Sequence, residues 1–204
     1  MRFGHKSTCV LIFLSFEKSW AACVKKSIFA FGLKWKKSMK ALVLTAYNKL
    51  EYMHMPDPVL QPHEVLVEVR ACGICGSDVH GLDGSTGRRI PPLIMGHEAS
   101  GVIIETGNAV TRWHTGDRVT FDSTVYPLDD WHTLQGRYNL SDNREVLGVS
   151  PGTYRRHGAF AQYLAVPQHI LYRIPDNVSF VQAAMVEPVA VALHALSLSG
   201  IQVG

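Results

Sequence analysis

The chain has 204 residues, 47% of them apolar and 18% charged, with no low-complexity run; this excludes a fibrous or wholly disordered protein and allows one good core with part of a second domain. The formal net charge of +3 is unevenly spread: residues 1–40 hold nine Lys or Arg against Glu17 alone, and removing that local +8 from +3 leaves the remainder at −5. A basic nucleic-acid face on the folded part is thereby excluded.

Cys9 to Phe16 is an apolar run behind Arg2 and Lys6, like the start of a signal peptide, but Glu17 and Lys18 interrupt it and no small-residue cleavage site follows. The run is far short of the ~20 apolar residues a span requires, so no membrane partner is expected. Residues 1–38 are read as a disordered or spurious extension before a natural start at Met39, the alternative being a genuine address or anchor. Strand signals follow at Lys40 to Ala46, Leu50 to Met53 and Val65 to Arg70, with a turn at Tyr47-Asn48-Lys49. Leu82 to Pro92 reads as a loop, and Gly101 to Glu105, Asp117 to Phe121 and Ile170 to Ile174 as further strands. Short strands with turn signals and long irregular excursions predict a mainly β, twisted barrel over residues 39–178. The period then changes. Ser179 and Gln182 form a capping-box pattern ahead of Ala-rich sequence, so 179–204 is a helical segment, expected to break or kink at Pro188.

Two glycine-flanked stretches carry chemistry. Cys72-Gly73-Ile74-Cys75-Gly76-Ser77-Asp78 is followed about twenty residues later by Gly96-His97-Glu98-Ala99-Ser100-Gly101. Thiolate, imidazole and carboxylate together suit a zinc ion, and three protein ligands leave a position open for reaction. The C-x-x-C by itself could equally be a redox pair or half of a structural zinc site. Only four cysteines occur, two of them before Met39, so reduced thiols and a cytoplasmic location are the simpler inference. Glu187, just before Pro188, is placed at an irregular backbone position suited to a functional carboxylate.

These motifs, with Gly107 and Val110, Gly116-Asp117-Arg118-Val119 and Gly158 to Val166 in the same order and spacing, resemble the zinc-dependent medium-chain alcohol and polyol dehydrogenases, above all the sorbitol type. The resemblance spans roughly 160 residues and implies a GroES-like catalytic domain. By it, Cys75 and His97 are metal ligands, Glu98 is a third ligand or a partner behind one, and Glu187 completes the site or holds a metal-bound water. Cys72 is then a small buried residue. Ser77 passes the substrate proton and His80 relays it to solvent. Sorbitol-type relatives often carry an aromatic residue after that histidine; here Gly81 leaves one wall of the pocket missing.

Many relatives hold a second, structural zinc with four cysteines, but the corresponding positions here are Pro127, Asp130, Thr133 and Ser141, so one catalytic zinc and no structural zinc are expected. That lobe is expected to be held by Tyr126, Leu128, Trp131, Leu134, Tyr138 and Leu140, with Asp129, Asp130 and His132 in a solvated turn. The implied activity is oxidation of a small alcohol or polyol to a carbonyl, with hydride passed to NAD or NADP. No G-x-G-x-x-G occurs before Gly204, so the expectation is an N-terminal part of a longer, homo-oligomeric enzyme, inactive alone. The alternative is a non-catalytic zinc-binding or interaction module built on the barrel.

Overall fold

A computed structural model describes residues 38–149 and 156–201. The reading of residues 1–38 therefore falls, but for Ser38, outside the described residues. Strands β1 (Ser38–Ala46) and β2 (Lys49–Pro56) form a hairpin whose turn puts Asn48 at φ 59°, a left-handed conformation that a short amide side chain tolerates. Strand β1 begins one residue before Met39, and its far edge pairs with β4 (Leu93–Ile94).

The main sheet has the order β10-β6-β5-β3-β9, comprising β3 (Glu64–Cys72), β5 (Ala99–Thr106), β6 (Arg118–Phe121), β9 (Tyr163–Pro167) and β10 (Leu171–Arg173). All its pairings are antiparallel. A two-stranded ribbon, β7 (Thr124–Val125) with β8 (Glu145–Val146), carries the lobe between them. The domain is mainly β, as expected. Its core joins Val43, Leu44, Val65, Val67, Leu93, Ile94, Ile103, Val119, Val166 and Ile170, each essentially removed from water and worth about 1.5–3 kcal/mol of burial.

One consequence of this topology positions the site. Strand β3 ends where β5 begins, with Cys72 paired to Ala99. The two motif stretches, separate in sequence, thus emerge at the same end of the sheet. Gly73 N donates to Glu98 O at 2.7 Å and ties them together.

The helical segment differs from expectation. Helix α3 (Phe180–Ala184) starts with the expected capping box, Ser179 Oγ accepting from Gln182 N at 3.2 Å. It ends at Met185, and α4 (Val186–Ser199) begins at once. The break thus precedes Pro188, which lies in the first turn of α4. There its missing N–H would have no intrahelical partner anyway. Glu187 is accordingly a regular first-turn residue, not an irregular one.

The lobe also corrects the expected packing. Leu128, Trp131, Leu134 and Leu140 are exposed, Leu134 at 69%. Tyr126 and Tyr138 alone behave as predicted, stacked with centroids 4.3 Å apart. The Tyr138 hydroxyl donates to Asp122 at 2.9 Å, while Asp130 Oδ1 accepts from His132 N and Thr133 N to cap the short helix α2 (Trp131–Leu134). Polar caps and ring contacts replace an apolar cluster.

Candidate metal centre

Cys75 is the N-cap of α1 (Gly76–Gly81), in extended backbone at the end of the loop from β3. Asp78 reaches back so that Cys75 N donates to its Oδ2 at 3.3 Å, which fixes where the cap residue points. On the other stretch, Gly96 adopts φ +90°, and a Cβ there would meet the Phe160 ring and the Cys72 sulfur. Only glycine allows that turn. It delivers His97 and Glu98 as buried groups, 7% and 4% exposed. Gly73 is required for a related reason: its missing side chain leaves room for the Glu98 carboxylate.

One ligand atom from each of Cys75, His97 and Glu98 lies within 4.8 Å of the others. Glu187 is not in that group, but it lines the same cleft of about 550 Å³ together with Ser77, His80, Arg89 and His97. The helix before it, α3, is held on the sheet by Ser100 Oγ donating to Phe180 O at 2.6 Å and Thr120 Oγ1 donating to Ala183 O at 3.2 Å, and α4 with Glu187 follows directly. Ser77 and His80 are exposed on that wall. Cys72 is buried and outside the group, as the small-residue reading expects.

The electrostatics suit a cation held by a thiolate. The hydrogen bond with His97 draws the Cys75 thiol below its usual range, against the opposing effect of burial, and Ser77 helps. Burial pulls the His97 imidazole down, yet its hydrogen bond to Cys75 and the charges of Asp78, Cys75 and Glu187 outweigh that and leave it raised. Cys72 goes the other way, because burial and the charges of Asp78 and Glu98 push its thiol well up. Two cysteines three residues apart are thereby differentiated as ligand-like and inert.

Two residues of the site were not anticipated from sequence. Asp78 and Arg89 form a buried ion pair, Nη2 to Oδ1 at 3.1 Å, with Asp78 Oδ1 also 3.6 Å from His97 Nδ1. Asp78 carried a readable signal, an acidic residue three positions after an N-cap. Arg89 carried none, sitting in a Gly- and Pro-rich loop where an arginine is ordinarily solvated.

Burial raises the Glu187 carboxyl above its ordinary range, with Glu98, Asp122 and Asp78 adding to the effect and the His97 charge opposing it. Its folded form is thus favoured at pH values below the ordinary carboxylate range, and that advantage is lost as pH rises through the raised value. Glu187→Gln is expected to stabilise the metal-free chain at neutral pH by less than about 1 kcal/mol, since the group is partly exposed and screened. Thermal unfolding at neutral pH and again near pH 4 should show the gain in the first condition and little in the second.

The donor set fits zinc: one soft sulfur, one imidazole and one carboxylate, converging from two strand ends beside an open cleft. Comparison with known proteins agrees. The alcohol dehydrogenase GroES-like domain family matches residues 61–176. The chain is 35% identical over 177 residues to the (R,R)-butanediol dehydrogenase of Bacillus subtilis, covering 81% of this chain and 49% of that protein. It is likewise 35% identical over 171 residues to sorbitol dehydrogenase 1 of Saccharomyces cerevisiae, covering 82% and 47%. Among solved structures, a zinc-binding dehydrogenase from Sinorhizobium meliloti bound to NADP superimposes with a TM-score of 0.74 at 36% identity, over 82% of this chain and 47% of that one. The chain spans about half the length of the curated relatives it matches.

Proposed function

This chain belongs to the zinc-type medium-chain alcohol and polyol dehydrogenases, whose GroES-like domain it carries, and we propose on that premise that the protein oxidises a small alcohol or polyol to its carbonyl with hydride transfer to NAD or NADP. The observation that carries the reading is the convergence of Cys75, His97 and Glu98 on one another where His97 lines a cleft. The names of the relatives support it, since butanediol, sorbitol and xylulose are vicinal hydroxyl compounds or their oxidation products. The cytoplasm is the proposed location and a homo-oligomer the proposed assembly; no helix among the described residues is long and apolar enough to cross a membrane.

Cys75 and His97 would hold the zinc, with Glu98 as third ligand or as the group behind it. Bound there, the ion supplies Lewis acidity that lowers the pKa of an alcohol in the cleft. Ser77, on the cleft wall, takes the alcohol's proton as it hands its own to exposed His80, which releases it to solvent. Glu187 faces the same space and balances charge there. Buried Asp78 accepts from the Cys75 backbone N–H and lies 3.6 Å from His97 Nδ1, so one carboxylate stands behind both candidate ligands.

Metal analysis of the purified chain by mass spectrometry tests the reading. One zinc per chain is expected, because none of the four lobe positions Pro127, Asp130, Thr133 and Ser141 offers a thiolate. Two would overturn the proposal of a single site, and none would overturn the metal assignment.

A further inference from the structure

Gly81 and Arg89 share one piece of space. A Cβ on Gly81 would overlap Arg89 Cγ and lie 3.3 Å from Arg89 Cβ, so the arginine stem occupies the volume that a side chain at position 81 would take. The guanidinium continues inward until the residue is only 3% exposed. There Nη2 donates to Ser77 Oγ at 3.1 Å and to Asp78 Oδ1 at 3.1 Å. Asp78 spends its other oxygen on Cys75 N, and its Oδ1 faces His97 Nδ1. A single guanidinium nitrogen thus touches the cleft hydroxyl and the carboxylate that stands between the thiol-bearing and imidazole-bearing elements.

We propose that Arg89 is a positioning residue of the metal centre: it pins Asp78 and Ser77 from one nitrogen so that Asp78 orients the His97 ring, and Gly81 is the glycine that admits it. The wall that Gly81 leaves open is filled by this arginine. The proposal rests on the reading of Cys75, His97 and Glu98 as the metal-binding set. Charge and positioning make opposite predictions for Arg89. A guanidinium close to a bound cation repels it, so as a mere charge its removal would tighten metal binding. As a positioning group its removal loosens binding, because partners behind a ligand are typically worth 10–100-fold in affinity.

The test is a cobalt(II) titration of the full chain, read by its thiolate-to-cobalt absorption and by competition with a chelator. Arg89→Ala is expected to weaken cobalt binding about 10-fold or more, and Arg89→Lys to recover part of the loss. Gly81→Ala keeps every polar group yet displaces the arginine stem, and should weaken binding to a similar extent. Combining Gly81→Ala with Arg89→Ala should add nothing, since both act through one side chain. If Arg89→Ala does not fold, Gly81→Ala alone decides. Unchanged or tighter binding in the folded single variants would overturn the proposal. Absence of the thiolate band in the unsubstituted chain would instead overturn the metal assignment beneath it.

Discussion

Replacing Cys75 by serine or His97 by alanine is expected to take the zinc content from about one per chain to near zero, whereas Cys72→Ala should leave it unchanged. The contrast follows from placement. Cys75 is half-buried beside His97 with its thiol drawn down by that ring, the state in which sulfur binds a metal. A serine hydroxyl at that cap keeps the local backbone bonds but offers a neutral, hard oxygen in place of a thiolate. His97 contributes the only imidazole in the cluster, and its loss leaves one sulfur and one carboxylate. Cys72 packs in the core beneath Gly96, so its alanine variant should lower stability by about 1 kcal/mol through a small cavity and remove no donor of the cluster. Metal content and melting temperature measured on the same three preparations separate the roles. Retention of zinc by Cys75→Ser with loss in Cys72→Ala would reverse the assignment of the C-x-x-C pair.

Gly158→Ala should lower stability by about 3 kcal/mol or more, at the upper end of overpacking effects. Its Cβ would fall against Gly96 O and, at 2.6 Å, against both Gly148 Cα and Met95 O. All three are backbone atoms, so no side chain can rotate away. The same segments are stitched by Gly158 N donating to Ile94 O at 2.7 Å and Ala159 N donating to Gly96 O at 2.8 Å. Relief therefore moves the turn that delivers His97. A fall in melting temperature on the order of 10 °C is expected, with weakened zinc retention alongside. Gly76→Ala is the matched control: nothing lies within 4 Å of its added Cβ, and alanine favours the helix it opens. Equal melting temperatures for the two variants would refute the idea that the Gly96, Gly148 and Gly158 backbones are packed in contact.

The sequence by itself determined what depends on near neighbours. Alternation and turn residues placed β1, β2, β3, β5 and β6, and Ser179 with Gln182 marked the start of α3, because strand periods and caps involve residues a few positions apart. Cys75, His97 and Glu98 were legible as donors of the right chemistry at a recognisable spacing. Where burial is decided by distant chain, that local reasoning reached its limit. Leu128, Trp131, Leu134 and Leu140 looked like core but face outward, the lobe meeting the rest of the described fold through Tyr126 and Tyr138 instead. Pro188 looked like a break inside a helix, yet the docking of α3 on the sheet through Ser100 and Thr120 ends that helix first and makes Pro188 a first-turn residue of the next. Arg89 fell within a stretch read only as a loop, but a bare Gly81 on one side and the Asp78 carboxylate on the other draw it inside. Only the tertiary structure could decide these, because a buried charge or an exposed leucine is fixed by what folds against it.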